Sequence, residues 1–300
     1  MQKTSNDKQK TNWSVTLKQN NWTIEIISVL LLILFFMPII IVLINVGKAD
    51  NNAIILDPLG LPQNYLSNFL NNIERILTHR QIRYFSSFGY SLLITTLSLT
   101  AIGIFSSMAA WVLVRTKTKY SKAIFFLFLS GLVIPFQVVM LPLVRLLQDI
   151  TNITGIPMKE TVHGIVLTYV GFGAPLSVFM FYGFIKSVPL EIEEAAIIDG
   201  CNQSQVFFRV VFPILKPIFV TMLVLNGLWI WNDYLLPVLV LGVKNPVQTL
   251  PLSVGVLAGL YTKDWPLILT QVILAAIPLL ILFLFVQKHI IKGMTSGAIK

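Results

Sequence analysis

The sequence predicts an all-α, polytopic membrane protein with six transmembrane helices and one short helix in a connecting loop. Three observations predict it. Hydrophobic residues make up 55% of the 300 positions and charged residues only 12%, at a mean hydropathy of +0.79. A soluble domain carries about 25% charged residues. Six apolar runs are each at least about 20 residues long, enough to cross roughly 30 Å of hydrocarbon as helices. A β-barrel would show short alternating segments instead. The net charge of +9 comes from Lys and Arg in the short loops beside those runs. That is the pattern of cytoplasmic membrane loops, not of a nucleic-acid surface. The surroundings expected are membrane lipid.

The elements follow in order. The tail 1–23 carries Lys3, Lys8, Lys10 and Lys18. The run at about 24–44 has no small-residue cleavage site after it and is longer than a signal h-region, so it is read as a retained span. The loop 45–85 is rich in Asn and Leu and holds Asp57-Pro58 and Leu61-Pro62. It is expected to form a short helix or two on the outer surface. Further spans are expected at about 86–113, 123–146, 162–185, 217–241 and 265–287, followed by the tail 288–300. Pro38, Pro135, Pro142, Pro175 and Pro278, with Gly171, Gly173 and Gly183, lie in the spans. They suit close helix packing, and in spans three and four they also suit a bend or a pathway. The sequons at Asn12 and Asn152 are read as chance.

An even number of spans puts both termini on one side. The loop 114–122 carries Arg115, Lys117, Lys119 and Lys122 without an acid, and the C-terminal tail carries Lys288, Lys292 and Lys300 without one. Opposite loops balance their bases with Asp50, Asp57, Glu74, Asp149 and Asp264. The termini and the 186–217 loop are therefore expected in the cytoplasm.

That loop contains VPLEIEEAAIIDGCNQSQVFFRVVFP, residues 188–213. Ser187 can cap a helix with Pro189, Glu191, Glu193 and Glu194 in its first turn, where acids suit the helix dipole. Gly200 suits a left-handed C-cap. Asn202 or Ser204 can cap a second short helix that runs to Pro213. At 100° per residue the apolar Ile192, Ala196, Ile197 and Ile198 spread around the first helix, as do Glu191, Glu193, Glu194 and Asp199. A membrane-surface helix needs a large moment and usually a basic face, and this helix has neither. Mixed apolar and acidic faces want protein on more than one side. Ala195-Ala196 allow a close backbone approach, and the acids suit a basic groove in a soluble partner.

The run Glu194-Ala195-Ala196, three residues, Gly200, nine residues, Val210, one residue, Phe212-Pro213 resembles the EAA loop of permease subunits in binding-protein-dependent ABC importers. Val210 and Phe212 stand where that family usually has Ile and Leu. The segment from Trp229-Ile-Trp-Asn-Asp-Tyr-Leu-Leu-Pro237 through Thr249-Leu-Pro251 and Asp264-Trp265 to Gly293–Lys300 is similar to the carbohydrate-uptake branch, and to its second permease of maltose, multiple-sugar or glycerol-phosphate type. The resemblance implies a cytoplasmic coupling helix that docks in a cleft of an ATPase subunit. It implies Glu194, Ala195, Ala196, Asp199, Gly200 and Pro213 as docking residues, with Glu194 placed by charge, Gly200 making the turn and the basic tail with Lys292 touching the ATPase. The implied partners are a second permease, two ATPase subunits that bind ATP and Mg, and an extracytoplasmic sugar-binding protein. No cofactor is expected in this chain. It lacks G-x-x-x-x-G-K-[ST], and Gly47-Lys48-Ala49 is not one.

Asp233 is the one carboxylate clearly inside an expected span, about 24 Å along the helix from Pro217. Intramembrane charge usually faces the bundle interior or a water-filled cavity. On a continuous helix Trp229, Asn232, Asp233 and Leu236 share one face. Trp229, Asn232, Asp233 and Tyr234 are candidates for the substrate path or the outer gate, with Asn226 and Gln137 behind them. A tryptophan face can stack on a sugar ring, and Asn and Asp can bond hydroxyls. The same residues can instead bond a neighbouring helix.

Other classes fit less well. An ion-coupled secondary transporter wants several intramembrane ionisable groups and an inverted repeat. An intramembrane enzyme wants a nucleophile–base pair or a metal cluster, and His79, His163 and His289 lie far apart in the sequence, with His163 read as an interfacial residue. The single Cys201 excludes a disulfide framework and a Cys-built metal site. A permease for a non-sugar solute is set aside only by the resemblance over 229–300.

Overall fold

A computed structural model describes residues 22–243, 245–257 and 263–298. The described residues form helices joined by turns: α1 (Trp22–Asn45), α2 (Asn51–Leu56), α3 (Tyr65–Thr78), α4 (Tyr84–Arg115), α5 (Lys119–Val133), α6 (Phe136–Thr154), α7 (Val162–Ile185) and α8 (Glu191–Ile198). They continue as α9 (Gln203–Gln205), a π-turn (Val206–Val211), α10 (Phe212–Ile214), α11 (Lys216–Asn232), α12 (Leu235–Val240), α13 (Leu250–Leu257) and α14 (Trp265–Ala298).

Helices α1, α4 and α7 are each long and apolar enough to cross a membrane, as their sequences predict. The other expected spans need correction. The third, 123–146, is two helices, α5 and α6, bent by 109°. Pro135 is the cause: it brings no N–H and disfavours helix at the residue before it, and Ile134 is extended, with ψ of 117°. The fifth, 217–241, ends at Asn232 and resumes as the short α12. Below it, the segment Gln203–Ile214 meets α11 at 74°. The sixth begins where expected, but α14 runs on to Ala298 through the expected tail. Lys3, Lys8, Lys10, Lys18 and Lys300 lie outside the described residues, as do the side chains of Lys288, His289 and Lys292.

The centre of the bundle is α4 along α7, with α5 also on α7 and α11 against both α4 and α7. Small residues make this approach possible. Ser91, Ser98, Gly103, Ser106 and Ser107 of α4 are buried. Gly173 of α7 lies so close to its neighbours that a Cβ there would stand 2.5 Å from Ile102 and 2.9 Å from Asn226 Oδ1. Asn226, one of the weaker pathway candidates, is buried. It donates to Ser177 Oγ and to the Met222 carbonyl, each at 3.1 Å. It therefore cross-links α11 and α7 where a buried amide must find partners. Gln137 is exposed on α6.

The expected outer loop does form helices, α2 and α3, and they tie the end of α1 to the start of α14. Asn72 donates to the carbonyls of Val46 and Lys48, each at 3.0 Å. Asn51 donates to the Lys263 carbonyl at 2.6 Å and accepts from Trp265 N at 2.8 Å. Arg75 pairs with Asp264 at 2.7 Å. In contrast, α1 exposes its apolar side chains from Trp22 to Ile40. In lipid such a face carries no hydrophobic penalty.

Candidate functional site

Two places gather the polar residues picked out by the sequence: the hairpin 186–214 at one end of α4, and the helix break at Asp233.

The hairpin is built by its caps. Gly200 sits at φ of +89°, in the left-handed region expected of it. Gly200 N donates to the Ile197 carbonyl and Cys201 N to the Ala196 carbonyl, each at 3.0 Å, the paired bonds of a Schellman C-cap. Asn202 and Gln205 then form a reciprocal capping box that starts the second limb. No atom would lie within 4 Å of a Cβ at Gly200. Gly200→Ala is therefore expected to cost about 1 kcal/mol through backbone strain alone, read as a lower melting temperature with assembly retained. Ser187 does not cap α8. Its hydroxyl donates to the Phe184 carbonyl at 2.7 Å and closes α7, and α8 starts after Leu190 without a side-chain cap.

The two faces of α8 differ sharply. Glu193 and Ala196 are buried, at 4% and 8% exposure. Glu194, Ala195, Asp199, Gly200 and, on the second limb, Pro213 are exposed, as are Ile192, Ile197 and Ile198. Sequence reasoning missed the anchor of the inner face. Glu193 Oε1 accepts from Arg115 Nε at 2.9 Å and from Nη2 at 2.7 Å, and Oε2 accepts from Trp111 Nε1 at 2.9 Å. Arg115 also donates to the Val188 carbonyl at 3.1 Å. Trp111 rests on Phe207 of the second limb, ring centroids 5.3 Å apart. From the sequence Arg115 is only one of the charges of the basic loop 114–122. Its i+4 spacing from Trp111, facing an acid-rich loop, was the available signal.

At the break, Asp233 is not on a continuous helical face. It ends α11 with ψ of 128°, and its Oδ1 accepts from Leu235 N at 3.0 Å and Leu236 N at 3.4 Å. It thus starts α12 as a side-chain cap. Its Oδ2 accepts from the Tyr169 hydroxyl at 3.1 Å. Trp229 meets the same Tyr169 edge-on, ring centroids 5.5 Å apart. The break turns the other candidates away. Asn232 and Tyr234 face a cleft of about 380 Å³ lined also by Pro251, Val254, Gly255 and Val272. A Cβ at Gly255 would lie 2.7 Å from the Tyr234 hydroxyl. The four candidates therefore divide into two pairs, Trp229 with Asp233 at Tyr169 and Asn232 with Tyr234 at the cleft, and Tyr169 was not anticipated. It is a buried tyrosine on α7, whose partner only the fold supplies.

Among the described side chains, His79 and His163 are not gathered into a metal or catalytic cluster. His79 Nδ1 accepts from Gln81 N at 3.3 Å, and His163 donates to the Pro157 carbonyl at 2.7 Å.

A membrane bundle with a broken, carboxylate-capped helix packed on its α4–α7 core and a clamped helical hairpin at one end has the build of a transport permease. Residues 100–296 match the family described as binding-protein-dependent transport system inner membrane component, and the chain belongs to it. It is 34% identical over 279 residues to the probable starch degradation products transport system permease protein AmyC of Thermoanaerobacterium thermosulfurigenes, covering 93% of this chain and 97% of that one. It is 37% identical over 218 residues to the melibiose/raffinose/stachyose import permease protein MelC of Bacillus subtilis, covering 72% and 76%. Among solved structures, a bacterial ABC transporter involved in the import of the acidic polysaccharide alginate shares the fold, with a TM-score of 0.69 at 18% identity over 90% of this chain and 98% of that one. Members of this family are transporter subunits, not enzymes.

Proposed function

We propose that this chain is a permease subunit of an ATP-driven importer for a sugar or oligosaccharide, forming half of the translocation pathway beside a second permease. The observation that carries the coupling part of this reading is the two-faced α8. Its inner face is fixed to α4, while Glu194, Ala195, Asp199 and Gly200 stand free beside Ile192, Ile197 and Ile198. A carboxylate and apolar groups presented together on an anchored helix fit a partner with a basic-rimmed apolar cleft. We assign that partner as an ATPase subunit, two per transporter, with ATP and Mg bound there. The names of relatives such as AmyC and MelC support a carbohydrate cargo. The basic loop 114–122 supports a cytoplasmic position for this end and for both termini. An extracytoplasmic sugar-binding protein then delivers cargo at the opposite face. Trp229 and Asp233, with Asn232 and Tyr234, are the residues for the pathway or its gate.

The test is purification of the tagged chain from its own cells in mild detergent, comparing wild type with Glu194→Lys. The expected result is that wild type brings down an ATP hydrolase and a second multi-span protein, and that Glu194→Lys keeps the second permease and loses the hydrolase. Wild type purifying alone, with uptake intact in Glu194→Lys, would overturn the reading.

A further inference from the structure

We propose that Arg115 and Trp111 are positioning residues for the α8 helix, and that displacement of the hairpin enters the bundle through α4. The proposal rests on the docking reading above. It starts from what holds α8, which packs through buried Ala196 on the Val206–Val211 segment of the second limb and takes its polar anchor from α4. Its covalent links are two turns: residues 186–190 after α7, and the Gly200 turn before α9. Turns yield to force more readily than packed helices. Against them stands a carboxylate whose side chain is 5% exposed, paired with a guanidinium 20% exposed. A charge buried to that degree is held where its partners are.

The bonding is dense. Both Glu193 oxygens are used, one by two guanidinium nitrogens and one by the indole N–H. The same guanidinium holds the Val188 carbonyl just before α8. The same indole ring packs on Phe207 just after the second limb begins. Arg115 and Trp111 are one turn apart on α4, so one helical face grips both limbs of the hairpin. Helix α4 then runs without a break for 32 residues. From Arg115 to Ser91 is about 36 Å along its axis. There Ser91 Oγ accepts from Leu250 N at 2.8 Å, the first residue of α13. Helix α13 lines the cleft that holds Asn232 and Tyr234. One rigid rod therefore joins the hairpin to the wall of that cleft.

The test uses the complete transporter in lipid vesicles and reads the cleft directly. In a Cys201→Ser background, Val254→Cys places a thiol on the cleft wall, and its labelling rate by a membrane-impermeant maleimide is measured with and without ATP. ATP is expected to change the rate when Arg115 is present. Arg115→Ala is expected to reduce that change about fivefold or more, with the ATPase still bound, and the exchange Arg115→Glu with Glu193→Arg to restore much of it. An unchanged ATP response in assembled Arg115→Ala would overturn the proposal. If Arg115→Ala fails to assemble, Trp111→Phe decides, because it keeps a ring on Phe207 and removes only the indole donor. A lost response then supports the proposal, and a full response overturns it. Failure of the docking reading looks different, since wild type would then carry no ATPase. In that case faster hydrogen exchange over 191–198 in Arg115→Ala still supports the positioning role, and unchanged exchange overturns it.

Discussion

Asp233→Ala is expected to destabilise the purified chain by about 3 kcal/mol and to lower uptake at least tenfold. Three donors lose their acceptor: the amides of Leu235 and Leu236 and the hydroxyl of Tyr169. Each unsatisfied group costs about 1–3 kcal/mol when buried. Tyr169 is fully buried, and Leu236 is 1% exposed, so neither can turn to water without moving a helix. The Leu235 amide is exposed and adds little. Asp233→Asn separates shape from charge. Its amide oxygen can still cap α12, and Tyr169 can turn its hydroxyl to accept from the amide. It should keep most of the stability. Uptake that stays low in Asp233→Asn would assign the charge to transport, and uptake that recovers would assign Asp233 to holding the break. Thermal unfolding in detergent and uptake into vesicles check the two effects.

Gly164→Ala is expected to be the most damaging one-methyl change in α7, at about 2–3 kcal/mol or more. A Cβ at Gly164 would lie 1.7 Å from the Met158 carbonyl oxygen. Backbone, not a flexible side chain, is in the way, so the linker between α6 and α7 must move. That linker is tied to the broken helix: Glu160 N donates to the Val240 carbonyl at 2.8 Å, and Asn245 donates to the Glu160 carbonyl at 3.0 Å. The strain should therefore reach α12 and lower uptake as well as the melting temperature. Gly171→Ala is the control. It lies on an exposed face of the same helix with nothing within 4 Å of the new methyl. It should be neutral or stabilising by up to about 1 kcal/mol, because alanine favours helix. Equal melting temperatures for the two variants would show that the 158–164 contact is not formed.

The legible parts of the molecule are those whose causes lie close together in sequence. The Gly200 C-cap, a cap at Asn202 or Ser204 and the helices of the 45–85 loop each depend on a few neighbouring residues and are read from the sequence, while the structure settles the cap on Asn202 and closes it as a box with Gln205. The bend at Pro135 was half visible. Proline marks where a helix can fail, but the 109° turn depends on what the two pieces pack against. The face of α8 was not legible. Four acids spread evenly around a short helix give no reason to bury one of them. Glu193 is chosen because α4 brings Trp111 and Arg115 to it from 82 and 78 positions away.

The break at Asp233 makes the same point from the other side. Helical periodicity puts Trp229, Asn232, Asp233 and Leu236 on one face, and that holds only while the helix continues. It stops because a carboxylate can cap the next turn while Tyr169, 64 positions away, donates to its other oxygen. By itself the sequence determined that this chain is an all-helical membrane protein with a capped helical hairpin between two spans. Local hydrophobicity, proline and glycine conformations and capping spacings act over a few residues. Only the tertiary structure decided which acid is buried, which candidates stand together and where a span breaks, because each of those outcomes is set by groups that meet only after the helices have packed.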